Sequence, residues 1–174
     1  MIKITTKNTK GISMHNPVLL FTDGSVNTKT KVGFGAYLIV DSTQKTNPDS
    51  YREPKVQLKR FENTSSTKLE LETLLWALVE IKIKDQKIKI YTDSQNIIGL
   101  PDRKFKLEQN NFYSGNGKQL NNHELYRAFY KITSILNCEL IKLEGHSVST
   151  EKDDLDRLFM LVDRASRKAT REEI

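Results

Sequence analysis

The side chains of this 174-residue sequence that could do chemistry together are carboxylates. The segment VLLFTDGS puts Asp23 after an apolar run, and KIKIYTDS puts Asp93 after another. An apolar run that stops at Asp-Gly or Asp-Ser reads as a strand ending in a turn. In α/β sheets the carboxyl ends of strands are where ligand sites are built. Either aspartate alone is also ordinary turn and cap chemistry; its occurrence twice in one short chain singles the pair out.

Glu70 is a third candidate. Around the helical wheel of residues 67–82, Leu71, Leu74, Leu75, Leu78 and Ile81 form one apolar stripe, and Glu70 borders it. Glu72 falls about 200° from Glu70 on the same wheel and is expected to face solvent. A C-terminal helix offers a fourth acid at the border of its apolar face, Asp156 or Asp163. These two lie seven residues apart, about 10.5 Å along a helix, so only one can share a site with the others. The alternative for Asp163 is an ion pair with Arg167 one turn on. Carboxylates gathered at one strand end repel unless cations lie between them. An all-oxygen donor set suits Mg²⁺ or Mn²⁺, and the sequence has no Cys/His pattern of zinc spacing. Two such ions about 3.5–4 Å apart activate a water and stabilise the leaving oxygen in phosphodiester cleavage.

The elements that must position these acids follow from periodicity. Strands are expected from residue 17 into the first Asp-Gly-Ser, at 33–40 and at 55–61, forming an antiparallel meander. The helix at 67–82, which Ser65, Ser66 or Thr67 can cap, comes next. A strand at 87–94, a loop-rich basic segment at 100–119, a helix at 122–136, a strand at 138–146 and a helix at 153–171 complete an α/β chain. Its last two strands are joined through helices and are therefore expected to be parallel.

The formal net charge of +6 is unevenly placed. Residues 1–16 hold three lysines and no acid, which reads as a basic arm ahead of a single domain at 17–174. Residues 101–131 hold six basic side chains against three acidic, among them Arg103, Lys104, Lys106 and Lys118. A polyanion such as nucleic acid or a solvated basic surface accounts for such clusters. No stretch reaches the roughly 20 apolar residues of a membrane span. One cysteine, Cys138, allows no internal disulfide, and the N-terminus lacks a secretory apolar region, so a cytoplasmic protein is expected.

Five motifs occur together: TDGS (22–25) followed by GFGAYLIV, KLELETLLWAL (68–78), YTDSQ (91–95), GHS (145–147) and VDRASRKA (162–169). In that order and spacing they resemble the type 1 ribonuclease H family over about residues 17–171. The resemblance implies a ribonuclease H-like fold, with a five-stranded mixed sheet of three antiparallel then two parallel strands flanked by helices. It implies a metal-dependent endonuclease that hydrolyses the RNA strand of RNA·DNA hybrids with two Mg²⁺ or Mn²⁺ ions; separately, a monomer is expected. Asp23, Glu70, Asp93 and Asp163 would be the catalytic, metal-holding carboxylates. Asp23 would bridge both ions, Glu70 and Asp93 would hold one, and Asp163 the other. His146 would assist proton transfer or product release. Asp163 lies 17 residues after His146, a longer gap than is usual in the family, but Ser166 and Arg167 follow it as the family's small residue and arginine do. The hybrid would be contacted by Gly24, Ser25, Ser65, Ser66, Thr67 and Gln95, with Arg103, Lys104 and Lys106 from the basic segment. Ser66-Thr67 stands where the family often has Asn-Asn. The only tryptophan, Trp76, is in the first helix and not in the basic segment, where Phe105, Phe112 and Tyr113 stand instead. Rival readings are a related fold acting on DNA, or a hybrid-binding module without catalysis. Ser25, two residues after Asp23, removes the Asp-x-Glu signature of the proofreading exonucleases.

Overall fold

The structure is a computed structural model that describes residues 16–41, 54–82, 85–143 and 150–173. Within these, β1 (Val18–Asn27), β2 (Val32–Asp41) and β3 (Gln57–Phe61) are followed by α1 (Ser66–Glu80) and β4 (Ile88–Thr92). Then come α2 (Gln95–Ile98), α3 (Leu100–Gln109), α4 (His123–Ile135), β5 (Cys138–Lys142) and α5 (Thr150–Glu172). The sheet order is β3-β2-β1-β4-β5. β1 pairs antiparallel with β2, and β2 with β3; β1 pairs parallel with β4, and β4 with β5. This is the expected five-stranded mixed sheet. Among the described residues no helix is long and apolar enough to cross a membrane. Of the basic arm expected at 1–16, all but Asn16 lies outside the described residues.

Alternation along β1 divides the core between the two faces of the sheet. Leu20 joins Leu71, Leu74, Leu78 and Phe129 beneath α1 and α4, whereas Leu19 and Phe21 join Leu38, Tyr91 and Val162 beneath α5. β1 therefore reads as a continuous buried apolar run, as a central strand covered on both faces must.

Two expectations are corrected. First, β1 does not stop at Asp23. It continues through Gly24-Ser25 to Asn27, because β2 supplies a partner for every one of its ten residues, Asp23↔Ala36 and Gly24↔Gly35 included. What ends near Asp23 is the other neighbour: the pairing with β4 stops at Phe21↔Tyr91, and β4 itself ends at Thr92, just before Asp93. Beyond that point β1 has no strand partner on the β4 side, which leaves a notch in the sheet beside it. Second, the segment expected to be loop-rich begins with a helix, α3. Pro101 at its first turn and a run of straight-chain Arg, Lys, Leu, Glu and Gln favour it. Of its ten residues only Leu100 is buried, so no apolar stripe announces it.

The approach of α1 to the sheet is set by glycine. A Cβ on Gly24 or Gly33 would come within 3.0 Å of the Leu69 side chain, and one on Gly35 would lie 2.0 Å from Thr73 Oγ1. Leu69 and Thr73, one turn apart and fully buried, sit directly on the bare backbone of β1 and β2. Replacing Gly35 by Ala is expected to cost about 1–3 kcal/mol through overpacking, lowering the melting temperature by several degrees. Thr73→Ala in the same chain should return part of that loss, as thermal denaturation of the single and double variants will show.

Candidate active site

Asp23 and Gly24 are neighbours on a strand and so point to opposite faces. Gly24 lies under α1, and Asp23 turns to the α5 face. There Ser166, fully buried on α5, donates from Oγ to Asp23 Oδ2 at 2.7 Å. Glu70 comes from the other face, on the first turns of α1, and accepts a short hydrogen bond from Ser94 Oγ. Asp93 stands between them at the notch, exposed, directly after the end of β4. Ser94, the next residue, also caps α2 by accepting from the Ile97 N–H. One serine thus starts a helix and orients a carboxylate from a second element.

The electrostatics link several of these acids. Burial pushes the Asp23 carboxyl up to about 6, and the charges of Asp93 and Asp163 push it in the same direction. The hydrogen bond from Ser166 and one from the Gly24 backbone only partly offset them. Glu70 is also raised, first by burial and then by Asp93, with the Ser94 bond opposing. Asp93 therefore acts on both Asp23 and Glu70, and Asp163 on Asp23. Asp163 also forms the expected ion pair with Arg167, Oδ1 to Nε at 2.6 Å, but that guanidinium is largely exposed and Asp163 is not.

Among the described residues no three of these side chains close into a ready-made cation site. The donor set is nonetheless of the kind a hard divalent cation takes: carboxylate oxygens only, with Asp23 and Glu70 half-buried and facing the charge of Asp93. Cys138 is no rival nucleophile, since burial pushes its thiol up to about 11.

The other expected residues are placed as follows. Ser65 caps α1, its side chain accepting from the Lys68 N–H, while Ser66 and Thr67 are exposed in the first turn. Glu72 does not face solvent as expected: it accepts from Thr64 Oγ1 at 2.9 Å and pairs with Lys68, tying α1 to the segment before it. Gln95 is exposed at the start of α2. Arg103 is held in place, donating to the carbonyls of Gly99 and Asn96 and to Asn96 Oδ1, whereas Lys104 lies over the Tyr130 ring. Lys106 is exposed on α3, beside Phe105, which is 77% exposed. Ser25 is tied through its carbonyl to Thr170. His146 lies outside the described residues. Residue types did not single out Ser94 and Ser166 as partners of carboxylates. Their only signals are adjacency to Asp93 and a place three residues after Asp163, on the same helix face.

The sheet order and its mix of antiparallel and parallel pairs, flanked by helices on both faces, define the fold class as α/β. The RNase H family model matches residues 15–162, most of the chain, and the chain belongs to the RNase H family. The match stops one residue before Asp163. Ribonuclease H of Caldanaerobacter subterraneus subsp. tengcongensis is 24% identical over 144 residues, spanning 81% of this chain and 87% of that protein. Ribonuclease H of Actinobacillus pleuropneumoniae serotype 5b is 28% identical over 143 residues, covering 81% and 86%. Among solved structures, the foamy viral protease-reverse transcriptase in complex with dsDNA has a TM-score of 0.62 at 13% identity, over 87% of this chain and 94% of that one. The same viral protein in complex with RNA/DNA hybrid has a TM-score of 0.63 at 11% identity, covering 95% of this chain and 22% of that one.

The raised Asp23 carboxyl has a consequence for stability. Above pH 6 the folded chain carries a charge it holds less readily than the unfolded chain does. The penalty fades as the pH falls through 6 and is gone below the unfolded value of 3.8. Asp23→Asn should therefore stabilise the fold above pH 6, by at most about 3 kcal/mol, with the gain vanishing near pH 4. Melting curves of both proteins across this range test it.

Proposed function

We propose that this RNase H-family protein, working as a monomer, hydrolyses the RNA strand of RNA·DNA hybrids at the notch beside β1. The observation that carries the reading is the arrival there of Asp23, Glu70, Asp93 and Asp163 from β1, α1, the end of β4 and α5, with their charges coupled. Asp23, reached by the charges of both Asp93 and Asp163, would be the carboxylate common to two divalent cations, Mg²⁺ or Mn²⁺. Glu70 and Asp93 would hold one, and Asp163 the other. When bound, the ions supply an activated water and neutralise the charge that develops on the leaving oxygen.

The chain's own residues do the rest. Ser94 donates to Glu70 and Ser166 to Asp23. Ser66, Thr67 and Gln95, exposed at the starts of α1 and α2, border the acids with small polar groups that hydrogen-bond phosphates and 2′-hydroxyls in the wide minor groove. Helix α3 supplies Lys104 and Lys106, both exposed, as phosphate contacts, and Arg103 adds a charge fixed in place. His146 would assist proton transfer or product release. Recognition of this kind reads shape and sugar and little of the base sequence.

The test presents one labelled sequence as RNA·DNA hybrid, RNA·RNA, DNA·DNA and single-stranded RNA, each with Mg²⁺, Mn²⁺ or EDTA. Cutting confined to the RNA strand of the hybrid, and abolished by EDTA, is expected. Cutting of DNA would favour a DNA-acting nuclease, and binding without cutting a hybrid-binding module. Asp93→Asn should lower the cleavage rate at least 100-fold yet leave hybrid affinity within a few-fold, measured by single-turnover kinetics and a filter-binding titration; for comparison, one lost electrostatic group at a catalytic centre costs roughly 10²–10³ in rate.

A further inference from the structure

Two hydroxyls on α5, one turn apart on the same face, reach across to β1. Ser166 donates to Asp23 Oδ2 at 2.7 Å, and Thr170 donates to the Ser25 carbonyl at 2.8 Å. Each also lies near a carbonyl of its own helix, Asp163 O at 3.0 Å for Ser166 and Ser166 O at 2.9 Å for Thr170. Back-bonding of that kind is the usual use of a helical hydroxyl. A hydroxyl has a single hydrogen, and for Ser166 the carboxylate is the nearer and charge-assisted acceptor.

The position does not need a hydroxyl for packing. Ser166 is fully buried between the partly buried Ala165 and the exposed Arg167, and alanine would fill nearly the same volume. Its burial also keeps water from taking over the bond. Without a donor there, Asp23 Oδ2 loses the bond that ties it to α5.

We propose that Ser166 is a positioning residue, holding the Asp23 carboxylate in the notch so that a divalent cation meets a preformed set of oxygens. The inference rests on the cation-holding reading of the four carboxylates. Thr170 is its internal control, because it joins α5 to β1 through a backbone carbonyl and touches no carboxylate.

The experiment is titration of the full chain with Mn²⁺ in a calorimeter, without nucleic acid, alongside melting curves and the Mg²⁺ dependence of hybrid cleavage. Ser166→Ala should weaken Mn²⁺ binding about tenfold, the low end of what residues supporting a metal ligand contribute. It should raise the Mg²⁺ concentration for half-maximal cleavage by a similar factor and leave KM for the hybrid unchanged. Thr170→Val should lower the melting temperature and keep the wild-type Mn²⁺ affinity. Ser166→Thr and Ser166→Val form a second pair that differ only by the hydroxyl, and the threonine variant alone should retain affinity. Equal Mn²⁺ binding by Ser166→Ala and wild type, or an equal loss in Thr170→Val, would overturn the role of Ser166 while the cation reading stands. A wild-type chain that takes up no Mn²⁺ would overturn both.

Discussion

The architecture depends on how closely α1 lies against the sheet. Gly24 and Gly35 face each other across the β1–β2 ladder, Gly33 lies two residues along, and the three leave a patch of bare backbone. Leu69 and Thr73 occupy it with no room for a methyl group between. Because Glu70 follows Leu69, that contact also sets how far Glu70 stands from the sheet. A side chain on any of these glycines would press on Leu69 or Thr73 and strain the seat of the helix that carries Glu70. The glycines of TDGS and GFGAY thus act at a distance from the chemistry, through the height of a helix.

A second constraint is the unequal length of neighbouring strands. β1 and β2 run on together after β4 has ended, so Asp23 keeps a partner on one side and has open space on the other. An acid on the α5 face and one on the α1 face, ordinarily separated by the sheet, can then address the same volume. Each carboxylate receives only modest support: a serine for Glu70, a serine and a backbone N–H for Asp23, an exposed arginine for Asp163. Full neutralisation by buried arginines would stabilise the fold but leave nothing for a cation to do. The site is in this sense left incompletely satisfied, as functional sites commonly are.

Much of this was legible in the residues. Apolar runs located the five strands, and the wheel of α1 placed Glu70 at the edge of the buried stripe. The length of β1 was not legible, because Asp-Gly-Ser is turn chemistry locally and only pairing with β2 keeps it extended. The helix α3 escaped because helices are read from buried stripes, and a helix with one buried residue has none. Glu72 was misplaced for a related reason: a helical wheel knows the helix but not the preceding segment, and Thr64 sits where the wheel shows solvent. The partnership of Ser166 with Asp23 spans 143 residues, and no local pattern encodes it.

The slight burial of α3 also bears on how such a protein can change. Its charges and the exposed Phe105 are carried on a helix that the core barely depends on, anchored through Leu100 and the ties of Arg103 to α2. Substitutions along its outer face therefore meet little resistance from packing, whereas those around Gly35, Leu69 and Ser166 meet a great deal. The charge of the α3 surface can therefore be altered one residue at a time without disturbing the packing around the notch.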